Sequence, residues 1–349
     1  MKSIDDPNIK DKNVLVRVDY NVPIKDGKIT DDLRIRASIP TINYLLEHGA
    51  KQIALISHLG RPDGKPNSEF SLKPVVEILR RLLPNTKIEF SPLPEQNHGL
   101  KISKDTKIVL MENLRFDPGE ESNSKGFAQS IVDATKSDIF VQDGFAVLHR
   151  AHASTDAITR LLPSYMGLLV EKEITNLTKA LKEPAHPALL IIGGAKVEDK
   201  APLINELSKK FDQIAVGGKI AADGYNNQDS KIYIADDFDE DSEGRKLDIG
   251  PIFTSKIAGL IVDAKTIIWN GLLGYAEDPA YATSSTIVAE MLGEKQDATT
   301  IICGGDTTGF VENLIKSHPN LKYSLVSTGG GATLEFLLGK ELPGIKALE

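Results

Sequence analysis

Short, unbroken apolar runs recur along the chain, each closing on a polar or glycine turn signal. They are NVLVRVD, QIALIS, KIVLM and DIFVQD in the first half, then ALLIIGG, QIAVGG, KIYIA, TIIW, TTIICGG and YSLVSTGG. Continuous apolar strands are the mark of sheets buried on both faces, and the amphipathic stretches between them supply the covering helices. The pattern therefore predicts an α/β fold with parallel sheets. Residues 168–183 (LLVEKEITNLTKALKE) repeat apolar positions at helical spacing and are followed by Pro184 and Pro187, which predicts a helix connecting two α/β domains. The chain has no internal repeat and no low-complexity tract.

Composition narrows the function classes. The 349 residues, 41% of them hydrophobic, suffice for two cores. A net charge of -8 argues against a general nucleic-acid binder. The single cysteine, Cys303, excludes an internal disulfide framework and fits a reducing compartment. The chain starts on a polar stretch and nowhere runs eighteen apolar residues together, so a soluble cytoplasmic protein with no membrane partner is expected.

Charge is unevenly placed. Eight of the ten arginines precede residue 151, whereas the paired-glycine turns GGAK, GGK, CGGD and TGGGA all follow residue 190. Arginine forks suit small phosphorylated carboxylic acids, and glycine turns that open helices cradle nucleotide phosphates with backbone N–H groups. Two half-sites for two anionic substrates are implied.

In open α/β sheets the ligand lies at the carboxyl ends of the strands. In the first half these ends carry Arg17, Asp19 and Asn21, then His58 and Arg61, Arg115, and His149 with Arg150, while Arg34 lies nearby in sequence. A lone arginine is more often a solvated surface charge, and Arg80 and Arg81 are assigned to that class. Several cationic or imidazole groups at successive strand ends suggest a basic basin. His149 and His152 form an HxxH pair, but no further ligands at metal spacing follow, so zinc is not expected there.

In the second half, Gly193 and Gly194 end an apolar strand, and Lys196 and Lys200 follow four residues apart on one face of the helix that begins there. Two ammonium groups and a helix N-terminus stabilise charge on a transferring phosphoryl group. The alternative is a solvated lysine pair with glycines that serve only the turn. Two further strand-glycine turns favour the first reading: Asp306 is placed to hold Mg2+, while Thr307 and the Gly329–Gly331 amides are placed to bind phosphate oxygens. Neither GxGxxG after a strand nor GxxxxGK[ST] occurs, so a Rossmann dehydrogenase and a P-loop enzyme are both unsupported. The acidic stretch DDFDEDSEG, continued to Asp248, has Ser242 where a calcium loop needs glycine, and reads as a solvated loop.

In order and over nearly the whole chain, RVDYNVP, DDLRIRASIPTI, SHLGRP, ENLRF, HRAHAS, GGAKVEDK, LDIGP, WNG, GGDTT, STGGGATLE and the ending LPGIKALE resemble the phosphoglycerate kinase family. The resemblance implies two doubly wound, Rossmann-like parallel-sheet domains joined by a hinge helix, with the last residues returning to the first. On this sequence that gives an acid-substrate domain of residues 1–167 with 335–349 and a nucleotide domain of 168–334. It implies reversible phosphoryl transfer between 1,3-bisphosphoglycerate and ADP, giving 3-phosphoglycerate and ATP, with Mg2+, in a monomer that closes by hinge motion. The matching 3-phosphoglycerate positions are Asp19, Asn21, Arg34, His58, Arg61, Arg115 and Arg150. The matching nucleotide positions are Gly194, Lys196, Lys200, Gly217, Gly218, Asn270, Glu277, Gly304, Gly305, Asp306, Thr307, Gly329, Gly330 and Gly331. Of these, Glu277 would hold the ribose hydroxyls and Asp306 the metal, while Arg34, Lys196 and Lys200 would form the catalytic clamp.

The sequence also departs from the family. WNGPMGVFE reads WNGLLGYAE, GGGDT reads CGGDT, VNDAFG reads VQDGFA, and the segment between Gly217 and Leu247 is several tens of residues shorter than the family norm. Leu272, Ala276 and Cys303 stand where the family has proline, an aromatic and glycine. A base pocket with an opened wall and relaxed nucleotide preference is therefore expected, and a non-catalytic relative that binds a ligand or a protein is the alternative.

Overall fold

Alternation within each apolar run decides which face of a sheet each side chain serves. In the computed structural model, which describes residues 1–94, 100 and 102–349, the first-half runs form β1 (Asn13–Arg17), β2 (Gln52–Ile56), β3 (Ile88–Ser91), β4 (Ile108–Met111), β5 (Ile139–Gln142) and β6 (Ser164–Met166). They pair as one parallel sheet in the order β3-β4-β2-β1-β5-β6. Val14, Val16, Ile53, Leu55, Ile108 and Leu110 enter the core on one face, and Leu15, Ala54, Ile56, Val109 and Met111 enter the core on the other. Both faces are thus covered, each buried Leu or Ile contributing about 1.5–3 kcal/mol. β3 and β6 were not expected from the sequence. They are short edge strands, in which Glu89, Phe90, Ser164 and Tyr165 are only half-buried, so neither shows an unbroken apolar run.

The second-half runs form β7 (Ala188–Ile192), β8 (Gln213–Val216), β9 (Ile232–Ile234), β10 (Thr266–Asn270), β11 (Thr299–Cys303) and β12 (Leu325–Val326). They pair as a second parallel sheet in the order β9-β8-β7-β10-β11-β12. Trp269, fully buried, anchors its core beside Leu189, Ile191, Ile267 and Ile302.

The chain divides into two compact units, Met1–Lys172 with Glu341–Glu349, and Glu173–Lys340. The expected boundaries at 167/168 and 334/335 lie a few residues ahead of both divisions. At the first, the helix Leu168–Lys182 starts on the first unit: Leu168 N donates to Thr41 Oγ1 at 3.0 Å, Leu169 N to Asp143 Oδ1 at 3.0 Å, and Ser3 Oγ to Glu171 Oε2 at 2.9 Å. Glu173 then accepts from Thr328 N at 2.7 Å, inside the second unit. At the C-terminus, Gly344 N donates to Leu148 O at 2.9 Å, fastening the last residues to the first unit.

Register sets where the functional loops emerge. Arg17 pairs Ile56 and Gln142, so the loops after β1, β2 and β5 leave one edge of the first sheet. Ile192 pairs Val216 and Asn270, and Asn270 pairs Cys303, so four glycine turns leave one edge of the second. Among the described residues no helix is long and apolar enough to cross a membrane.

Candidate functional site

At the edge of the first sheet, basic groups are held by an acidic and hydroxyl scaffold. Arg17 is 1% exposed, a burial that a guanidinium tolerates only when its donors are met. Its Nε donates to Ser154 Oγ at 2.7 Å, its Nη1 to Val18 O, and its Nη2 lies 3.1 Å from His58 Nδ1. Ser154 in turn donates to Glu120 from Oγ at 2.6 Å and from N at 3.1 Å, and Glu120 is fully buried. Burial pushes the Glu120 carboxyl up, opposed by Arg17 and the Ser154 bonds. Arg34 Nη1 pairs with Asp19 Oδ2. Asn21 Oδ1 accepts from Gly60 N at 2.9 Å, and Arg115 Nη1 donates to Gly60 O at 2.7 Å, so both grip the turn that carries Arg61. Arg150 Nε donates to His149 Nε2 at 3.1 Å.

These cationic groups feel one another. Burial holds His58 well below the usual imidazole range, and Arg17, Arg115, Arg34 and His152 press in the same direction. Burial, then Arg115, Arg17, Arg150 and His149, lowers His152 to about 4. Both imidazoles are neutral at pH 7, within a basin whose positive charge comes from arginine. Arg61 is exposed, and its side chain makes no hydrogen bond or ion pair among the described residues. Arg80 and Arg81 lie exposed on the helix Val75–Leu82, where Arg80 pairs with Glu77 and donates to Ile88 O at the start of β3, and Arg81 pairs with Asp32.

At the edge of the second sheet the glycine turns enclose a cavity of ≈ 390 Å³. Their backbones approach so closely that side chains are excluded. A Cβ on Gly271 (φ +102) would lie 2.2 Å from Gly193 O, and one on Gly218 (φ +63) 2.7 Å from Leu272 O. Gly194, Lys196, Lys200, Gly218, Glu277, Gly304, Gly305, Asp306 and Thr307 all line the cavity, whereas Gly217, Asn270 and Gly329–Gly331 do not. Lys196 is the N-cap of the helix Val197–Leu207, and Asp306 lies in the first turn of the helix Gly305–Ser317. Helix N-termini and ammonium groups converge there, an arrangement that binds a polyphosphate. Asn270 acts from behind: its Oδ1 accepts from Lys200 Nζ.

Two expectations about the cavity wall are corrected. The acidic stretch 236–248 is not merely a solvated loop: Phe238–Glu240 and Lys246–Ile249 pair as an antiparallel hairpin, and Phe238, Lys246, Leu247 and Asp248 line the cavity. The aromatic missing at Ala276 does not leave the wall open, because Phe238 and Tyr275 both line it, with Lys246 Nζ 4.5 Å from the Phe238 ring centre. The sequence hid this hairpin because only strand pairing across the acidic tip brings Phe238 opposite Ile249. Glu120 and Ser154 were missed for a similar reason: their bond spans 34 residues, and neither lies at a strand end.

Comparisons with known proteins agree along the whole chain. The family model described as phosphoglycerate kinase matches residues 4–233 and 221–340, its two stretches meeting inside the shortened segment. A phosphoglycerate kinase of Chloroflexus aurantiacus is 40% identical over 400 residues, covering 100% of this chain and 98% of the relative. One of Moorella thermoacetica is 39% identical over 393 residues, covering 99% and 98%. Among solved structures, a phosphoglycerate kinase from Coxiella burnetii superposes with TM-score 0.81 at 33% identity, covering 99% of this chain and 98% of that one. One from Pyrococcus horikoshii OT3 superposes with TM-score 0.84 at 27% identity, covering 100% and 98%.

Proposed function

The chain belongs to the phosphoglycerate kinase family, and from that membership we propose how its residues share the reaction. The enzyme is a kinase that transfers a phosphoryl group reversibly between 1,3-bisphosphoglycerate and ADP, giving 3-phosphoglycerate and ATP; the comparisons lend no support to a non-catalytic role. The observation that carries the division of labour is the convergence of Lys196, Lys200, Asp306 and Thr307 on one cavity. Phosphoryl transfer asks for little covalent help from protein; it asks for two aligned anions and neutralised oxygens.

In this reading the first unit holds the acid. Arg34, Arg61, Arg115 and Arg150 supply charge to its carboxylate and phosphate, and Asp19, Asn21 and His58 bind the acid beside them. The second unit holds the nucleotide. Glu277 meets the ribose, Thr307 and the turn amides of Gly218, Gly304 and Gly305 meet phosphate oxygens, Gly194, whose own N–H donates to Leu272 O at 2.7 Å, leaves the nucleotide room to approach, and Lys196 and Lys200 neutralise the transferring group. Gly217 and Gly329–Gly331 support these turns. Arg34 acts on the same phosphoryl group from the acid side, and hinge motion brings the two anions together.

The residues also fit Mg2+. Asp306 offers a single exposed carboxylate beside the phosphate-binding turns, and no cluster of three or more metal-ligating groups occurs among the described residues. Magnesium is commonly held in this way, through one or two carboxylates and the substrate's phosphates, where it neutralises charge. Monomeric state and cytoplasmic location belong to the same proposal. A coupled assay of ATP formation from 1,3-bisphosphoglycerate tests the function, and absence of turnover with every nucleoside diphosphate would overturn it.

A further inference from the structure

Among the described residues, the His58 ring hydrogen-bonds through one nitrogen only. An arginine side chain has five N–H donors and no acceptor, so the Nη2 of Arg17, 3.1 Å from Nδ1, requires the ring lone pair at that atom. The proton of the neutral ring is then on Nε2, which bonds to no protein group among the described residues. We propose that Arg17 is a positioning residue, which fixes His58 as the neutral Nε2–H tautomer so that it offers the acid substrate one directed hydrogen bond.

Arg17 is itself fixed. Its Nε is held by Ser154 Oγ at 2.7 Å, its Nη1 by Val18 O, with Ser57 Oγ 3.4 Å away, and Ser154 Oγ is held by Glu120 Oε1 at 2.6 Å. The series Glu120, Ser154, Arg17, His58 thus runs from a fully buried carboxylate to the ring. Protonation of His58 would set an Nδ1–H against the Arg17 N–H groups. The other groups that face the ring are Arg115 from the turn Leu114–Phe116, Arg34 from the helix Leu33–Glu47, and His152 from the loop after Arg150. None of these favours the imidazolium; of the nearby acids, Asp19 is paired with Arg34 and Glu120 is bonded to Ser154. The arginines therefore bring the charge and His58 brings direction, unchanged across the pH range in which free histidine titrates.

The inference rests on the assignment of His58 to the 3-phosphoglycerate site, and one experiment separates the two. Long-range 1H–15N spectra of the full-length 15N-labelled protein, with His58 signals assigned by their loss in His58→Gln, should show the Nε2–H tautomer at pH 7 and no titration across the range in which free histidine titrates. Added 3-phosphoglycerate should shift the Nε2 signal. An Nδ1–H tautomer, or an imidazolium at pH 7, overturns the role of Arg17 even if the ligand shift appears. A correct tautomer with no ligand shift removes His58 from the acid site, and the proposal with it. Ser154→Ala, which releases Arg17 Nε without touching the ring, should let His58 titrate and mix its tautomers. Its KM for 3-phosphoglycerate relative to the parent should then be about threefold larger at pH 8 than at pH 6, with the kcat ratio constant. A KM ratio independent of pH, with the tautomer unchanged, would show that the arginine is only structural.

Discussion

Lys200 Nζ donates to Asn270 Oδ1, and Asn270 Nδ2 donates to Cys303 Sγ at 3.2 Å. The cavity-lining lysine is therefore held by an amide whose own orientation is fixed. Cys303, one of the departures from the family pattern, supplies the acceptor that fixes it. Removing the charge and removing the anchor should have different sizes. Lys200→Ala should lower kcat by about a hundredfold or more, as loss of a preorganised charge-stabilising donor does. Asn270→Ala, which leaves the ammonium but frees it, should cost about tenfold. Steady-state kinetics on variants shown by circular dichroism to be folded will check both, and an Asn270→Ala loss equal to that of Lys200→Ala would contradict the anchoring role.

In the proposed division of labour the two half-sites belong to different units, so damage to one should spare the other. Arg150 is half-buried and held at Nε by His149, leaving its terminal nitrogens for a forked bond that lysine cannot make. Arg150→Lys should weaken 3-phosphoglycerate binding by about tenfold, roughly 1.4 kcal/mol, and leave ADP binding unchanged. Calorimetric titration with each ligand separates the two. Equal losses would refute the division.

Much of this organisation is visible in the chain because parallel strands buried on both faces must read as unbroken apolar runs. All ten such runs became sheet strands, and the repeat over 168–183 became the helix Leu168–Lys182. Glycine turns were legible for a related reason: Gly218 and Gly271 lie where positive φ and backbone contact leave no room for a side chain. What stayed hidden depends on partners distant in sequence. Glu89 and Phe90 in β3 look like a surface segment until Ile88–Ser91 pairs with β4. Glu120 gave no sign of its place under Arg17, and Phe238 sat in a run of acids that reads as solvated until the hairpin closes.

That hairpin bears on nucleotide choice. The cavity wall carries Phe238 and Tyr275, and an aromatic face accepts any base because every base has a π-face. Strong discrimination would need buried polar groups that the wrong base leaves unpaired. Asp248, the buried acid on this wall, already accepts from Ser284 N at 3.0 Å and from Ser284 Oγ. ATP and GTP should therefore differ by less than about tenfold in kcat/KM. Phe238→Ala should weaken both alike, by about 1–2 kcal/mol. Kinetics with ATP, GTP and ITP on both proteins decide it: a large ATP preference, or a loss confined to one base, would place a specific polar contact at this wall.

The last expectation concerns Asp143, at the head of the helix through which the chain leaves the first unit. Its Oδ1 accepts from Leu169 N at 3.0 Å, while its buried Oδ2 has no hydrogen-bond partner among the described residues. Burial pushes this carboxyl from its ordinary 3.8 up to about 7, against the pull of Thr41 and the Leu169 and Val170 amides. A folded-state value above the unfolded one means that the protonated acid stabilises the fold. That stability is complete below pH 3.8, declines as pH rises toward 7, and is gone above it. At pH 8 the protein thus carries a buried, half-satisfied charge, with an upper bound of about 4 kcal/mol for a shift of roughly three units. Asp143→Asn keeps the oxygen for Leu169 N and removes the charge, so it should raise the unfolding midpoint at pH 8 by about 3 °C or more. The advantage should shrink as pH falls to 5, where the parent's carboxyl is protonated. His152, lowered to about 4, shifts stability in the opposite direction, because its unfolded form gains a proton as pH falls through 6.5. Both proteins share that effect, so it cancels in their difference. Thermal unfolding of the pair at pH 5, 6.5 and 8 provides the test, and an Asn advantage that is constant with pH, or that grows in acid, would mean that Asp143 is not protonated in the fold.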